Sequence, residues 1–269
     1  LFRSATFAAF PEWYATLFSG FYLPLFLILV SLIVRGVAFE FRAKAPVAHK
    51  LTWDAAFWAG SLMTALSQGF MLGMYIMGLR WGWAEIGFAT LTAGALAVGY
   101  SFIGAAWVIL KTDGDLQRRS VAWARGGIWG VVLGMGAVSV ATPLVSPRIF
   151  DKWFRFPEIV TLAPLPVMSG LIVALLWLAL RRLPTRDDSF AWLPFVGAVV
   201  LMLLGFCGMA YSFYPYIVPE KLTIWQAASS TESLSIILVG TMFVLPVILC
   251  YSVLAYVVFR GKATRLSYD

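Results

Sequence analysis

No Asp, Glu, Lys or Arg occurs in residues 13–34, 55–79, 86–110, 126–147, 159–180, 189–219 or 233–259. All 20 basic and 13 acidic side chains lie outside these seven windows. Each window holds at least 22 residues, which as a helix is roughly 33 Å at ~1.5 Å per residue. That length matches the roughly 30 Å hydrocarbon core of a bilayer. A lone strand in lipid would leave its backbone polar groups unpaired, so the windows predict helices. Composition agrees, with 61% hydrophobic and only 12% charged residues and twelve Trp in 269 positions. The expected fold is an all-α, polytopic transmembrane helix bundle with seven complete spans.

The chain carries a formal charge of +7, but the distribution excludes a nucleic-acid surface. Counting loops alternately, one side holds 14 basic residues, among them Arg35, Arg42, Lys111, Arg125, Arg181 and Lys262. The other side holds 6: Arg3, Arg80, Arg148, Lys152, Arg155 and Lys221. The positive-inside rule assigns the richer side, and with it the C-terminus, to the cytoplasm. One integral-membrane domain over 1–269 is expected, with 13–259 as spans and 260–269 as a cytoplasmic tail. LFRSATFAAFP, ahead of Glu12, is too short to span, so 1–12 reads as the tail of an upstream segment. A cleaved signal peptide is the other reading.

Pro11-Glu12 opens the first span, since Pro suits a first turn and an acid there favours the dipole. RGVAFEFR, 35–42, is its cytoplasmic end. RWGWAE joins spans two and three as a hairpin. SPRIFDKWFRFPEI, 146–159, mixes cations and aromatics as an interfacial segment would. Residues 212–233 hold two further prolines and several aromatics, and are expected to form an ordered outer cap. Gly126, Gly130 and Gly134 share one helix face at a spacing that admits a second helix closely. That helix belongs either to this chain or to another subunit. Pro24, Pro194 and Pro246 are expected to kink their helices. Cys207 and Cys250 are expected to be buried, inert thiols. Ser67, Gln68, Thr90 and Thr92 are expected to hydrogen-bond across helices, with a water-lined path as the alternative.

Chemistry is scarce. The single histidine, His49, lies in a cytoplasmic loop, whereas a six-coordinate haem takes two axial side chains. No metal-type spacing, P-loop, nucleophile elbow or HExxH is present. Charge-free spans also speak against a stand-alone secondary transporter, which ordinarily keeps ionisable groups at mid-membrane. That reading and a purely structural scaffold stay as alternatives to a subunit that borrows chemistry from a partner.

Residues 18–42, FSGFYLPLFLILVSLIVRGVAFEFR, resemble the second subunit of cytochrome bd-type quinol oxidases. The shared pattern is FSGFY, an apolar run, an Arg and an acid–aromatic–Arg ending, extended back through FAAFPEWYATL. YPYIVPEKLTIWQAASSTESL, 214–234, is similar to the same family's outer loop before the last span, which ends here in YVVFRGK. The cyanide-insensitive branch looks nearest. The resemblance implies a heterodimer in the bacterial cytoplasmic membrane that oxidises quinol and reduces oxygen to water. Haems b and d are expected in the haem-bearing subunit I and none in this chain, with a structural quinone or lipid and a small accessory subunit left open. Quinol is the substrate of the complex and membrane lipid a further partner. The resemblance makes Arg35 and Glu40 the leading candidates for a quinone, proton-path or subunit-interface role, with Glu12 and Trp225 as weaker ones. Two departures stand out. The family's first span is absent, and Gln226 follows Trp225 where many relatives carry an acid.

Overall fold

The computed structural model describes residues 2–145, 147–156, 158–185 and 188–262. The chain runs α1 (Phe2–Ala9), α2 (Pro11–Gly20), α3 (Tyr22–Lys44), α4 (Val47–Ile76), α5 (Trp83–Lys111) and α6 (Gly114–Val145). It continues with α7 (Pro147–Phe154), α8 (Glu158–Leu162), α9 (Pro164–Arg182) and α10 (Leu193–Phe213). A hairpin of β1 (Tyr216–Val218) and β2 (Leu222–Thr223) follows, then α11 (Ile224–Ala227) and α12 (Thr231–Val258).

Among the described residues, 6 helices are long and apolar enough to cross a membrane: α3, α5, α6, α8 with α9, α10 and α12. The second charge-free window falls on α4, which has 30 residues. Ser61, Thr64, Ser67 and Gln68 dilute its apolar character, and it packs between α3 and α5. From α3 to α6 each helix packs on the next, α9 pairs with α10, and this pair closes on α5 and α6. The main apolar cluster, with Phe102, Ile109, Ile128, Leu176, Leu180 and Leu201, joins those last four helices.

The first window is not one helix. Pro24 has no N–H to give the carbonyl four residues back, and its ring crowds that carbonyl. The carbonyl belongs to Gly20, and the helix breaks there, at Phe21. Phe21 turns inward and is buried with Met74, Leu79, Ala89 and Val218. Pro194, expected to kink a span, instead stands in the first turn of α10, where its missing donor costs nothing. Pro246 lies inside α12, which runs on to Val258.

Other expectations also change. Cys207 and Cys250 are exposed, not buried, because α10 and α12 turn those faces away from the bundle. Thr90 and Thr92 donate within their own helix, to the carbonyls of Ile86 at 2.8 Å and Phe88 at 2.9 Å. A helical threonine satisfies its hydroxyl more readily on the preceding turn than across a gap.

Helices α4 and α5 meet backbone to backbone. A Cβ added at Gly69 would stand 2.5 Å from Ala93 Cα, and one at Gly73 2.5 Å from Ala89 Cα. Side chains at Gly130 and Gly134 would likewise meet Val98 at 2.7 Å and Ala95 at 2.9 Å on α5, whereas Gly126 faces open space.

Gly73→Val is expected to force α4 from α5 and lower stability by about 1–3 kcal/mol. Gly126→Ala is expected to leave stability unchanged. Thermal unfolding in detergent, followed by monodispersity, checks both.

Candidate functional site

Two polar zones flank the apolar row. The first is the cap between α10 and α12. Thr223 and Gln226 form a capping box around α11: the Thr223 hydroxyl accepts from Gln226 N at 3.3 Å, and Gln226 Oε1 accepts from Thr223 N at 3.0 Å. The residue after Trp225 therefore has a structural use as a glutamine. Tyr75 donates its hydroxyl to the carbonyl of Ile217, tying the cap to α4. Arg80 pairs with Glu220, and Lys221 Nζ donates to Leu79 O at 3.3 Å. Trp225 is exposed and meets Tyr214 edge-on, with ring centroids 6.1 Å apart.

Helix α7 locks the cap from the side. Lys152 Nζ donates to the carbonyls of Tyr211 and Tyr214 at 2.6 and 2.7 Å. Those carbonyls end α10, where a cation suits the helix dipole. Burial pushes the Lys152 ammonium below the usual lysine range; nearby Arg148 adds to this and Glu158 opposes it. Trp153 Nε1 donates to Ser212 Oγ at 2.8 Å. The Arg148 guanidinium carbon sits 4.6 Å from the centre of the Tyr216 ring.

The second zone holds RGVAFEFR, 35–42. Arg35 and Glu40 lie on α3, which continues past them to Lys44. Both are exposed, and the structure does not bring them together. The Arg35 guanidinium carbon lies 5.3 Å from the centre of the Phe57 ring on α4. Gly60 permits this approach, because a Cβ there would meet Ser31 O at 2.8 Å and Arg35 N at 3.3 Å. Glu40 forms no ion pair among the described residues. Its neighbour Arg42 instead holds Asp54 through both carboxylate oxygens, the second contact at 3.3 Å. The Arg42 hydrogen bond keeps the Asp54 carboxyl below its ordinary range. Sequence reasoning missed this pair; the signal was an Arg and an Asp flanking one short turn. Glu12, exposed in the first turn of α2, stands apart from these groups.

A third contact also escaped the sequence. Lys262 pairs with both Asp113 and Asp188, and Lys111 Nζ donates to Phe259 O at 2.6 Å and Gly261 O at 3.1 Å. The ends of α5, α9 and α12 are thereby gathered at one end of the bundle. His49 is exposed in the first turn of α4. Among the described residues, no group of three His, Cys, Asp or Glu is disposed to hold a metal ion. The arrangement can position helix ends and anchor the cap.

A family model described as cytochrome bd terminal oxidase subunit II matches residues 1–259. The chain is 29% identical over 283 residues to cytochrome bd ubiquinol oxidase subunit 2 of Bacillus subtilis (strain 168), covering 97% of this chain and 79% of that protein. It is 25% identical over 305 residues to cytochrome bd-I ubiquinol oxidase subunit 2 of Escherichia coli (strain K12), with the same coverage. A probable cytochrome oxidase subunit 2 of Haemophilus influenzae (strain ATCC 51907 / DSM 11121 / KW20 / Rd) is 26% identical over 301 residues, or 96% of this chain and 78% of the relative.

Lys152→Met is expected to leave the last carbonyls of α10 without their cation and to lower stability by about 1 kcal/mol. Thermal unfolding checks the loss. Faster proteolysis within 212–230 is expected beside it, since the cap is what the ammonium holds.

Proposed function

The chain belongs to the cytochrome bd terminal oxidase subunit II family, and from that premise we propose that it is the haem-free subunit of a quinol:oxygen oxidoreductase. It acts in the aerobic respiratory chain, as one multi-pass domain of the bacterial cytoplasmic membrane. Its partner is the haem-bearing subunit I, which it holds in an active geometry and for which it guides protons, oxygen or quinone. The observation that carries this reading is the surface. Helix α12 has 28 residues and none is buried, and only 11% of the apolar stretch of α3 is buried. Much apolar helix surface is thus left for lipid and a partner subunit, which is what a subunit of a larger membrane complex requires.

Arg35 and Glu40 belong to this proposal as contacts at the inner end of α3. Arg35 has no carboxylate partner among the described residues, so its guanidinium is available to a quinone oxygen or to an acid of subunit I. Glu40 stands one and a half turns further along the same helix. At the outer end Trp225 projects from the cap as an interfacial anchor.

Expression with the haem-bearing subunit is expected to yield a stable pair with b- and d-type spectra and quinol oxidase activity. Omitting this chain is expected to abolish both. A haem-free chain that purifies alone and moves a solute in liposomes overturns the proposal in favour of a transporter. Arg35→Ala is expected to lower turnover or assembly several-fold, and wild-type values for both reduce Arg35 to a headgroup anchor.

A further inference from the structure

Helices α6 and α9 face each other across an open groove. On α6 the groove is lined by Arg125, Ile128, Trp129 and Val132, and on α9 by Gly170, Val173, Ala174, Trp177 and Arg181. Spacings of three and four put each set on one helix face. The groove has two connected parts that share Trp129 and Trp177. One is a hollow of about 410 Å³ between the two arginines and the two tryptophans. The other is an apolar channel of about 270 Å³ that runs along the helices to Gly170.

The charge at the mouth is not neutralised. Neither Arg125 nor Arg181 pairs with a carboxylate among the described residues. Arg125 donates Nε to Leu180 O at 2.8 Å and Nη2 to Leu183 O at 3.0 Å, which fixes its guanidinium at the end of α9. The Arg181 guanidinium carbon lies 4.5 Å from the centre of the Trp177 ring. Both arginines stand at the end of the bundle that the basic loops assign to the cytoplasm. From Arg181 to Gly170 the helix rises roughly 16 Å at ~1.5 Å per residue, about half of a ~30 Å hydrocarbon core. The groove therefore has the depth of one leaflet. Its floor is open, because a Cβ at Gly170 would meet nothing within 4 Å.

We infer that this groove is a binding site for an anionic phospholipid of the cytoplasmic leaflet. The phosphate sits between Arg125 and Arg181, framed by Trp129 and Trp177, and one acyl chain lies along Ile128, Val132, Val173 and Gly170. The inference deepens the proposed lipid partnership by giving it a place and a charge. It rests on the membrane reading of the helices, and lipid retention reads it out independently of oxidase turnover.

The test uses the purified complex, stripped of lipid in detergent and titrated by native mass spectrometry. Phosphatidylglycerol and phosphatidylcholine with identical acyl chains are the probes. Two unneutralised cations are expected to favour phosphatidylglycerol roughly tenfold, with one molecule retained. Arg181→Gln spares the hydrogen bonds of Arg125 and is expected to cut phosphatidylglycerol retention about fivefold while leaving phosphatidylcholine unchanged. Gly170→Leu, at a position where a Cβ meets nothing within 4 Å, extends a side chain into the channel and is expected to weaken both lipids. Equal retention of the two lipids, or an Arg181→Gln variant that behaves as wild type, overturns the inference. So does displacement by millimolar inorganic phosphate, which would mark a headgroup-only anion site, or by a neutral quinone whose retention ignores Arg181→Gln.

Discussion

Charge exclusion from the hydrocarbon is the constraint on which the structure depends. A lone ion at mid-membrane is expensive, so the ion pairs of the described residues are all made at the helix ends. Inside the membrane nothing comparable is left to hold helix to helix, because lipid tails are as apolar as leucine. The chain resolves this with small residues. Gly69 and Gly73 bring α4 onto the backbone of α5, Gly60 brings α3 onto α4, and Gly130 and Gly134 seat α6 on α5. Close approach multiplies dispersion contacts that are individually small.

The polar ends then do a different task. They set which helix ends meet. Lys262 with Asp113 and Asp188 gathers helix ends at one end of the bundle. Lys152, Tyr75 and Arg80 gather the cap between α10 and α12. These contacts join residues far apart in sequence, such as Tyr75 and Ile217, and so fix the order of packing that glycine contacts alone would leave ambiguous. Exposed pairs of this type add little stability singly, but as mutual constraints they select one arrangement.

This division explains what was legible in the sequence. Apolar helices and an ordered cap were readable because they depend on where charge and proline fall. The break at Phe21 was foreshadowed by Pro24, whose effect lies one turn upstream. Which face of a span turns inward was not readable. An apolar helix looks the same whether lipid or protein covers it, and so Cys207 and Cys250 were misplaced. Gly126 and Gly130 likewise share one spacing, yet one faces open space and the other Val98. Arg42 with Asp54 was hidden for another reason: a turn, not a helix period, brings them together. Arg35 and Glu40 could be named from resemblance, but a spacing of five on one helix never promised that they would meet.

Helix α12 carries the argument furthest. None of its residues is fully buried, and it is held at its two ends: Ser229 N, just before it, donates to Ala9 O at 2.8 Å, and Phe259 O, just after it, receives Lys111. Besides these, it packs against α1, and Tyr256 stands edge-on to Trp107 with centroids 6.3 Å apart. A helix pinned at both ends keeps its tilt and depth without choosing which neighbour covers its flank. Since lipid and protein are nearly equivalent solvents for Leu and Val, covering that flank with another subunit costs little desolvation. The orientation is set in advance by the ends, so less freedom is lost when a partner packs against it.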